Sequence, residues 1–575
     1  LAGANYQGST AGQSRVLGQF FGGIAGYARS LVLDECHSAT RSGLSETTLT
    51  NLVQSGYNAD GTLNENSPLK GDFVGGLVGF GRDVRMTNCY TESGYVLGRS
   101  FVGGFVGGFV GSNLYTSGGT NNSYVFGNRY VGGIVSVNGL NSTIENMTNK
   151  GLVAGLGANA AYVGGIAGVN DAAWGKQDSA ALTKNETAKL VDSVNSMSTV
   201  EVTDKNKIAL LRQLSQTGDG TPRYADFVGG VAGYNGTNGQ ISWQAESDKG
   251  AALGAVLYGG SFVGGVAGYN DATATITNSQ ATIFSVTGTI VATGDCVGGV
   301  IGLNGAASLP TVQVSANRIE GVHFVGGVIG ANLPANEFKF VNAGGAAANA
   351  ATIGTGRIVA DGVAGGIIGY NRVVNADTLK SALQNKNGTI AADLQTLLPK
   401  FSSGNALDEP TLNPGGSAIT LTCLSNQFNI YANAYVGGII GYNAADTTLT
   451  LENASNGNQS QAQSYGGLAL SPRADAANGG AYRLDSGVSL GKLDPDHNGY
   501  FAGGIIGCTT AKTTLNHCTN YGGVQHPVAA GGLTGVNNGT ITNGSMVNSM
   551  GNQQEGYRCL GGIAGINNGS ITNSA

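Results

Sequence analysis

The chain has 575 residues, of which 98 are glycine and 10 proline, with 41% hydrophobic and only 11% charged positions. That apolar share can fill a core, and the glycines follow no strict Gly-X-Y period, so neither a disordered polyelectrolyte nor a collagen fits. A formal net charge of −6, from 29 basic and 35 acidic side chains, gives nucleic acid or an anionic bilayer little to hold, and the longest apolar stretch, 102–111, is short and broken by glycine, so no membrane span is expected.

The N-terminus lacks a basic and apolar leader and the chain stops inside "INNGSITNSA", the pattern expected of a piece of something longer. The first recognisable element is a glycine pair after an aromatic residue at 20–23, and the pair then recurs. Its first glycine falls at Gly22, Gly75, Gly103, Gly132, Gly164, Gly229, Gly264, Gly298, Gly326, Gly365, Gly437, Gly503, Gly531 and Gly561. The basic spacing is 28 to 35 residues, and several gaps are about twice as long. Two residues before the pair stands an aromatic in ten copies, with Cys296, Val363, Ala529 and Cys559 in the others. An aliphatic residue or Phe follows the pair every time, and Asn closes ten of the copies, from Asn138 to Asn567. A second block reads [ILM]-x-N-small, as in "MTNC" (86–89), "LENA" (451–454) and "ITNG" (541–544). A third, looser block such as "YVFG" leads into the next pair.

Three short β-like runs per unit, each closed by Asn or Gly, predict an all-β chain: a parallel β-helix, or β-solenoid, with rungs of about 28–35 residues and with helical and loop insertions. Stacked rungs place identical residues over one another, so a repeated Asn can form an amide ladder. Both alternating faces of "FVGGVAGYN" (227–235) are small or apolar. Either something covers this wall on its outside, or Gly and Ala expose too little side chain to matter.

In chain order the reading is rungs over 1–170, a helical insertion over 171–226, rungs over 227–375, a helical hairpin insertion and return over 376–434, and rungs over 435–575 with a loop insertion at 454–499. The first insertion rests on apolar residues at helical spacing in "NETAKLVDSVNSM" and "KNKIALLRQLSQ". The second rests on "ADTLKSALQNKNGTIAADLQTLLPKF", with "NKNG" as its turn and Pro399 near its stop.

"GGIAGINNGSITNS" (561–574) and "GGLTGVNNGTITNG" (531–544) resemble the GLUG-type glycine-rich repeats of bacterial surface and secreted proteins. The resemblance covers most of the chain at coarse spacing. It implies a parallel β-helix in an extracellular, cell-surface or secreted protein, acting as an adhesin or stalk.

Candidate chemistry is sparse. Seven cysteines are present. Cys36, Cys89 and Cys518 fall in the small-residue slot after the second block, and Cys296 and Cys559 in the aromatic slot, all read as packing. Cys508 and Cys518 are the pair most suited to a disulfide, and His517 between them lacks the paired spacing of a zinc site. "LDPDHNG" offers Asp494, Asp496 and Asn498 as alternating oxygen ligands for calcium, but Ile505 stands where the closing Glu of such a loop belongs. His37, His323, His497 and His526 are scattered, and no nucleophile or metalloprotease motif occurs. The expectation is a non-catalytic protein without a cofactor, with self-association, another surface protein or a host glycan or protein as partner and no nucleic acid. The alternative is a polysaccharide-binding or polysaccharide-degrading β-helix.

Overall fold

The computed structural model describes residues 20–38, 51, 71–109, 114–174, 182–195, 210–211, 213–216, 223–243, 252–278, 284–341, 350–352, 356–383, 395–401, 407–412, 418–432, 434–457, 469–470, 501–525, 529–547 and 559–575. The chain is a parallel β-solenoid. Contacts divide it into two compact units, residues 1–247 with 253–260 and 266–279, and residues 280–575 with 248–252 and 261–265. The same rung is built in each.

One rung of the first unit serves as the type. It runs through β1 (Ser100–Gly103), β2 (Val106–Phe109), β3 (Tyr115–Ser117), β4 (Thr120–Asn121) and β5 (Tyr124–Gly127). Each strand pairs in parallel with its counterpart one rung away. In β1 of the first unit Gly22 lies opposite Gly75, Gly75 opposite Gly103, and so on through Gly132, Gly164 and Gly229. In the second unit Gly264, Gly298, Gly326, Gly365, Gly437, Gly503, Gly531 and Gly561 do the same. All fourteen β1 strands end on the first glycine of the pair.

The three runs expected from the sequence thus become five strands, because two of them bend in the middle. The first bends at the glycine pair. The second bends at the Asn of the second block, where Asn88, Asn146, Asn453, Asn543 and Asn573 hold φ between 48° and 53°, the left-handed region that Asn tolerates better than other side chains.

The bend at the pair folds β1 and β2 back onto neighbouring rungs, and glycine is what lets the backbones meet. A Cβ on Gly233 would lie 2.5 Å from the amide nitrogen of Val163, in β1 of the preceding rung. A Cβ on Gly133 would lie 2.0 Å from the Gly165 carbonyl and 2.5 Å from Asn149 Cγ. Hence the wall has no wet outer face to cover: β1 and β2 of neighbouring rungs face each other across a layer too thin for side chains. This resolves the two readings of the apolar nonapeptide in favour of burial, with the chain itself as the cover. The residue after the pair plugs the coil, and Leu77, Phe105, Ile134, Ile166 and Val231 are all fully buried.

In the middle rungs the aromatic before the pair leaves the ladder. Ser100 pairs with Arg129 and Val102 with Val131, so Phe101 and Tyr130 are bypassed. Both hold positive φ, as do Tyr162, Phe227, Phe262, Cys296 and Phe324. In the first unit the rings in this slot stack: centroids are 4.6 Å apart for Phe101 and Tyr130, 5.1 Å for Tyr130 and Tyr162, and 5.1 Å for Tyr162 and Phe227.

Both expected helical insertions need correction. Within 171–226, Ala188–Val191 is a β3 strand, with Leu190 opposite Ile144 and Ile241. Ala188 and Leu190 alternate inward at strand period, and that fit to the ladder overrides the helical spacing of the wider segment. Among the described residues of that segment, helix is seen at Leu210, Leu211, Gln213 and Leu214, where buried Leu210 and Leu214 pack with Phe126, Leu152, Ala154 and Leu156. Within 376–434, the helix Ala376–Leu383 is present, and the described part of the expected second arm is a 3-10 turn, Gln395–Leu397, before an antiparallel pair of Lys400–Phe401 with Leu407–Asp408. Strands Ile419–Thr422, Ser425–Asn426 and Asn429–Ala432 then rejoin the rungs. In the 454–499 insertion, Ala469–Leu470 pairs with Ile430–Tyr431 and Val524–Gln525, as a β5 strand does.

Candidate interaction surfaces

The buried asparagines of the rungs are spent on the coil itself. After β2, side-chain amides join Asn138, Asn170, Asn235 and Asn270 at 2.7–2.8 Å, and Asn304, Asn332, Asn371 and Asn443 at 2.8–2.9 Å. All eight are fully buried. This is the ladder expected from the repeated Asn. A second ladder, in β4, was not anticipated. Asn121 donates to Asn149 at 2.7 Å, Asn426 to Asn456 at 2.8 Å and Asn456 to Asn520 at 2.9 Å. Its signal was the Ser/Thr-Asn dipeptide recurring before the third block, at 120–121, 148–149, 425–426, 455–456 and 519–520.

Two outward features differ from this self-satisfied interior. In the second unit the β3 strands align Thr420, Thr450, Thr514, Thr540 and Ser570 in one row. Thr422, Glu452, Asn516, Thr542 and Thr572 form the row beside it. Thr420, Thr540 and Ser570 are exposed and Thr450 and Thr514 half-buried, while the alternate residues, such as Leu421, Leu451, Leu515 and Ile541, fill the core. In the first unit, Phe20, Phe73 and Phe101 stack at 5.2 and 4.8 Å, with Tyr27 on Phe80 beside them at 5.6 Å. Trp174 closes that row edge-on against Phe101 and Tyr130. Within the row the rings lie face to face, so the inner rings show the outside only their edges.

The titratable groups are dispersed. Among the described residues no three His, Cys, Asp or Glu side chains gather as metal ligands would. Asp494, Asp496 and Asn498 lie outside the described residues. Cys508 and Cys518 are both free and separately engaged: Cys508 sits in β2 opposite Tyr442 and Val536, and the Cys518 thiol donates to the Leu451 carbonyl at 3.5 Å. Burial pushes the Cys508 thiol up to about 12 and the Cys518 thiol up to about 11, which makes both inert. His517 occupies the left-handed turn slot, at φ 51°. Cys423, which the sequence reading passed over, stands in the same slot and is exposed.

Ser261, Asp295 and His323 follow one another along the rungs, but in the wrong order for a nucleophile. Ser261 Oγ accepts from the Asp295 backbone N–H at 3.1 Å and His323 Nδ1 meets the Asp295 carboxylate at 2.9 Å, so the acid stands between hydroxyl and imidazole. Arg372, only 3% exposed, reaches Asp446 Oδ2 through Nη2 at 2.6 Å and Nε at 3.1 Å, a brace between successive rungs. A cavity of about 40 Å³ between Leu152, Leu211, Tyr224 and Tyr258 has room for a few waters.

Asp171 is the group whose titration matters to the fold. Burial pushes its carboxyl up to about 7; the Ala173 N–H, donating to Oδ1 at 2.8 Å, works against that shift and the nearby charge of Asp271 works with it. A folded-state value above the unfolded one means that the folded chain binds a proton the unfolded chain has released. The stabilisation is therefore complete below about pH 4 and is lost as pH rises through 7, at a cost on the order of a few kcal/mol. Melting of the first unit should shift downward between pH 5 and pH 8. Asp171→Asn, which keeps the acceptor for Ala173, should remove this part of the shift, and an unchanged pH profile in the variant would refute the assignment.

No helix of the described residues is long and apolar enough to cross a membrane. No protein-family model, curated protein or solved structure matches the chain.

Proposed function

We propose that the chain is a non-catalytic scaffold of an extracellular bacterial surface protein, an adhesin or stalk whose rungs hold recognition residues in a fixed register. The observation that carries this reading is the division of labour between faces. Buried amides satisfy one another along the coil, and the side chains left for a partner are in-register outward rows, the clearest being Thr420, Thr450, Thr514 and Thr540. Rigid, regularly spaced hydroxyls recognise by multiplicity of weak contacts rather than by a pocket. The similarity of 531–544 and 561–574 to GLUG-type repeats supports the surface location.

The test is retention of the protein on arrays of glycans and of surface proteins. Thr514→Lys with Thr540→Lys should lower retention at least about tenfold while melting is unchanged, because both side chains point away from the core. Retention undiminished by the substitutions would reject this face as the contact. Release of shortened oligosaccharides from a polysaccharide by the unaltered protein would reject the non-catalytic reading itself.

A further inference from the structure

Two cysteines stand one over the other in the first two described rungs. Their β3 strands place Asp34 opposite Thr87 and their β4 strands place His37 opposite Tyr90. The two residues between are held in the same register, since Glu35 N–H donates to Thr87 O at 2.9 Å and Tyr90 N–H to Cys36 O at 3.1 Å. Both turns pass through a left-handed residue, Glu35 at φ 48° and Asn88 at φ 51°, immediately before the cysteine. Cys36 and Cys89 therefore occupy one slot in successive rungs. Neighbouring strands lie about 4.8 Å apart, inside the range of roughly 4.4–6.8 Å over which a disulfide spans two Cα atoms.

The thiols are also turned alike. Cys36 Sγ lies 3.3 Å from Asp34 O and Cys89 Sγ 3.4 Å from Thr87 O, in each case the carbonyl two residues back. Cys89 Sγ is in addition 3.8 Å from Leu33 O, a carbonyl of the rung that carries Cys36. Among the described residues the other cysteines stack on different residue types: Cys508 between Tyr442 and Val536, Cys559 on Ala529, and Cys518 between Ala454 and Gly544.

We propose that Cys36 and Cys89 form an inter-rung disulfide, made by thiol–disulfide exchange with a low-molecular-weight disulfide, that staples the first described rung to the second. Cys36 is half-buried and reachable, whereas Cys89 is 1% exposed. Burial holds the Cys89 thiol above its ordinary value, so the first attack falls to Cys36. Its thiolate displaces one thiol from the reagent, leaving a mixed disulfide. Cys89, losing its proton, then attacks Cys36 Sγ and expels the second reagent thiol. Two protein thiols are oxidised, one reagent disulfide is reduced, and the two protons go to the departing thiolates. The rung so fastened needs it, because among the described residues of the first unit it carries the two most exposed large apolar side chains, Val32 at 67% and Tyr27 at 57%.

The experiment treats the full chain with oxidised glutathione and digests it with trypsin without reduction. Peptide 30–41 should be recovered linked to peptide 86–99, each carrying a single cysteine, at about 2 Da below their summed mass. Amide exchange over 20–34 should slow about tenfold relative to the reduced protein. Cys89→Ala should abolish both effects; its slot takes Ala454 or Gly544 in other rungs, so the variant should fold. Exposed Cys423 supplies the internal control, taking up glutathione with no second thiol to displace it. Glutathione held on Cys36 with peptide 86–99 free would overturn the pairing. A linked peptide with unchanged exchange over 20–34 would overturn the staple.

Discussion

Gly438→Ala should break the second unit in two, with a loss of at least about 4 kcal/mol, whereas the same change at Gly562 should be neutral within about 0.5 kcal/mol. Both glycines are second members of the pair. At Gly438 the added Cβ would fall 1.9 Å from the Gly504 carbonyl of the next rung and 2.4 Å from Asn456 Cγ of the buried ladder, and at Gly562 nothing lies within 4 Å. The Gly504 carbonyl cannot retreat cheaply, because β1 and β2 around it are pinned: Gly438 N–H donates to Gly503 O at 3.1 Å and Ile439 N–H to Ile505 O at 2.8 Å. Rungs meet only their neighbours, so damage at one interface divides a solenoid instead of lowering its stability evenly. Urea unfolding should become two transitions, and amide protection should fall over 435–443 and 501–508 while strands remote from the lesion keep theirs. A single cooperative transition at the original midpoint would show that the backbones at Gly438 and Gly504 are not in close contact there.

The glycine pair was legible as a repeat because its spacing is a matter of counting, but which strands it brings together was not, since proximity between β1 and β2 arises only when the chain bends between them. Alternation along "FVGGVAGYN" assumed one straight strand, and on that assumption both faces needed a cover. The bend at Gly229 removes the assumption. The same limit hid the aromatic bulge: Phe227 reads as a strand residue, and its positive φ belongs to a backbone bulge just before the bend, which Cys296 shares without a ring. The β2 amide ladder was readable because Asn recurs at a fixed offset from the pair. The β4 ladder was harder because Thr91 and Thr352 replace Asn in it; Thr91 donates to Asn121 at 2.5 Å and Thr352 donates to Asn426. At 188–191 helical spacing misled because two inward residues, Ala188 and Leu190, suffice to make a β3 strand once Ile144 and Ile241 lie on either side. The outward threonine row was the least legible part. Thr420, Thr450, Thr514 and Thr540 are separated by unequal intervals along the chain, and only the strand pairing brings them into one row.

Asn371→Leu should cost about 3 kcal/mol, yet a second change, Asn332→Leu, should add much less to it than it costs alone. Asn332 donates to Asn371 at 2.9 Å and Asn371 to Asn443 at 2.8 Å, all three fully buried. Leucine at 371 leaves the Asn332 amide nitrogen without its acceptor and the Asn443 oxygen without this donor, in a place water does not reach, and each such loss costs about 1–3 kcal/mol. With Asn332 also replaced, one orphan disappears. The amide below, Asn304, still has the Ala306 carbonyl at 2.9 Å, so the ladder can end there without penalty. Every amide in this run points the same way, from Asn304 toward Asn443, so each bond polarises the next and the run is worth more than its separate pairs. A double-mutant cycle from urea unfolding should return a coupling of about 1–2 kcal/mol between 332 and 371. Strict additivity would mean that the amides act as isolated pairs, and the repeated Asn would then owe its place to the turn alone.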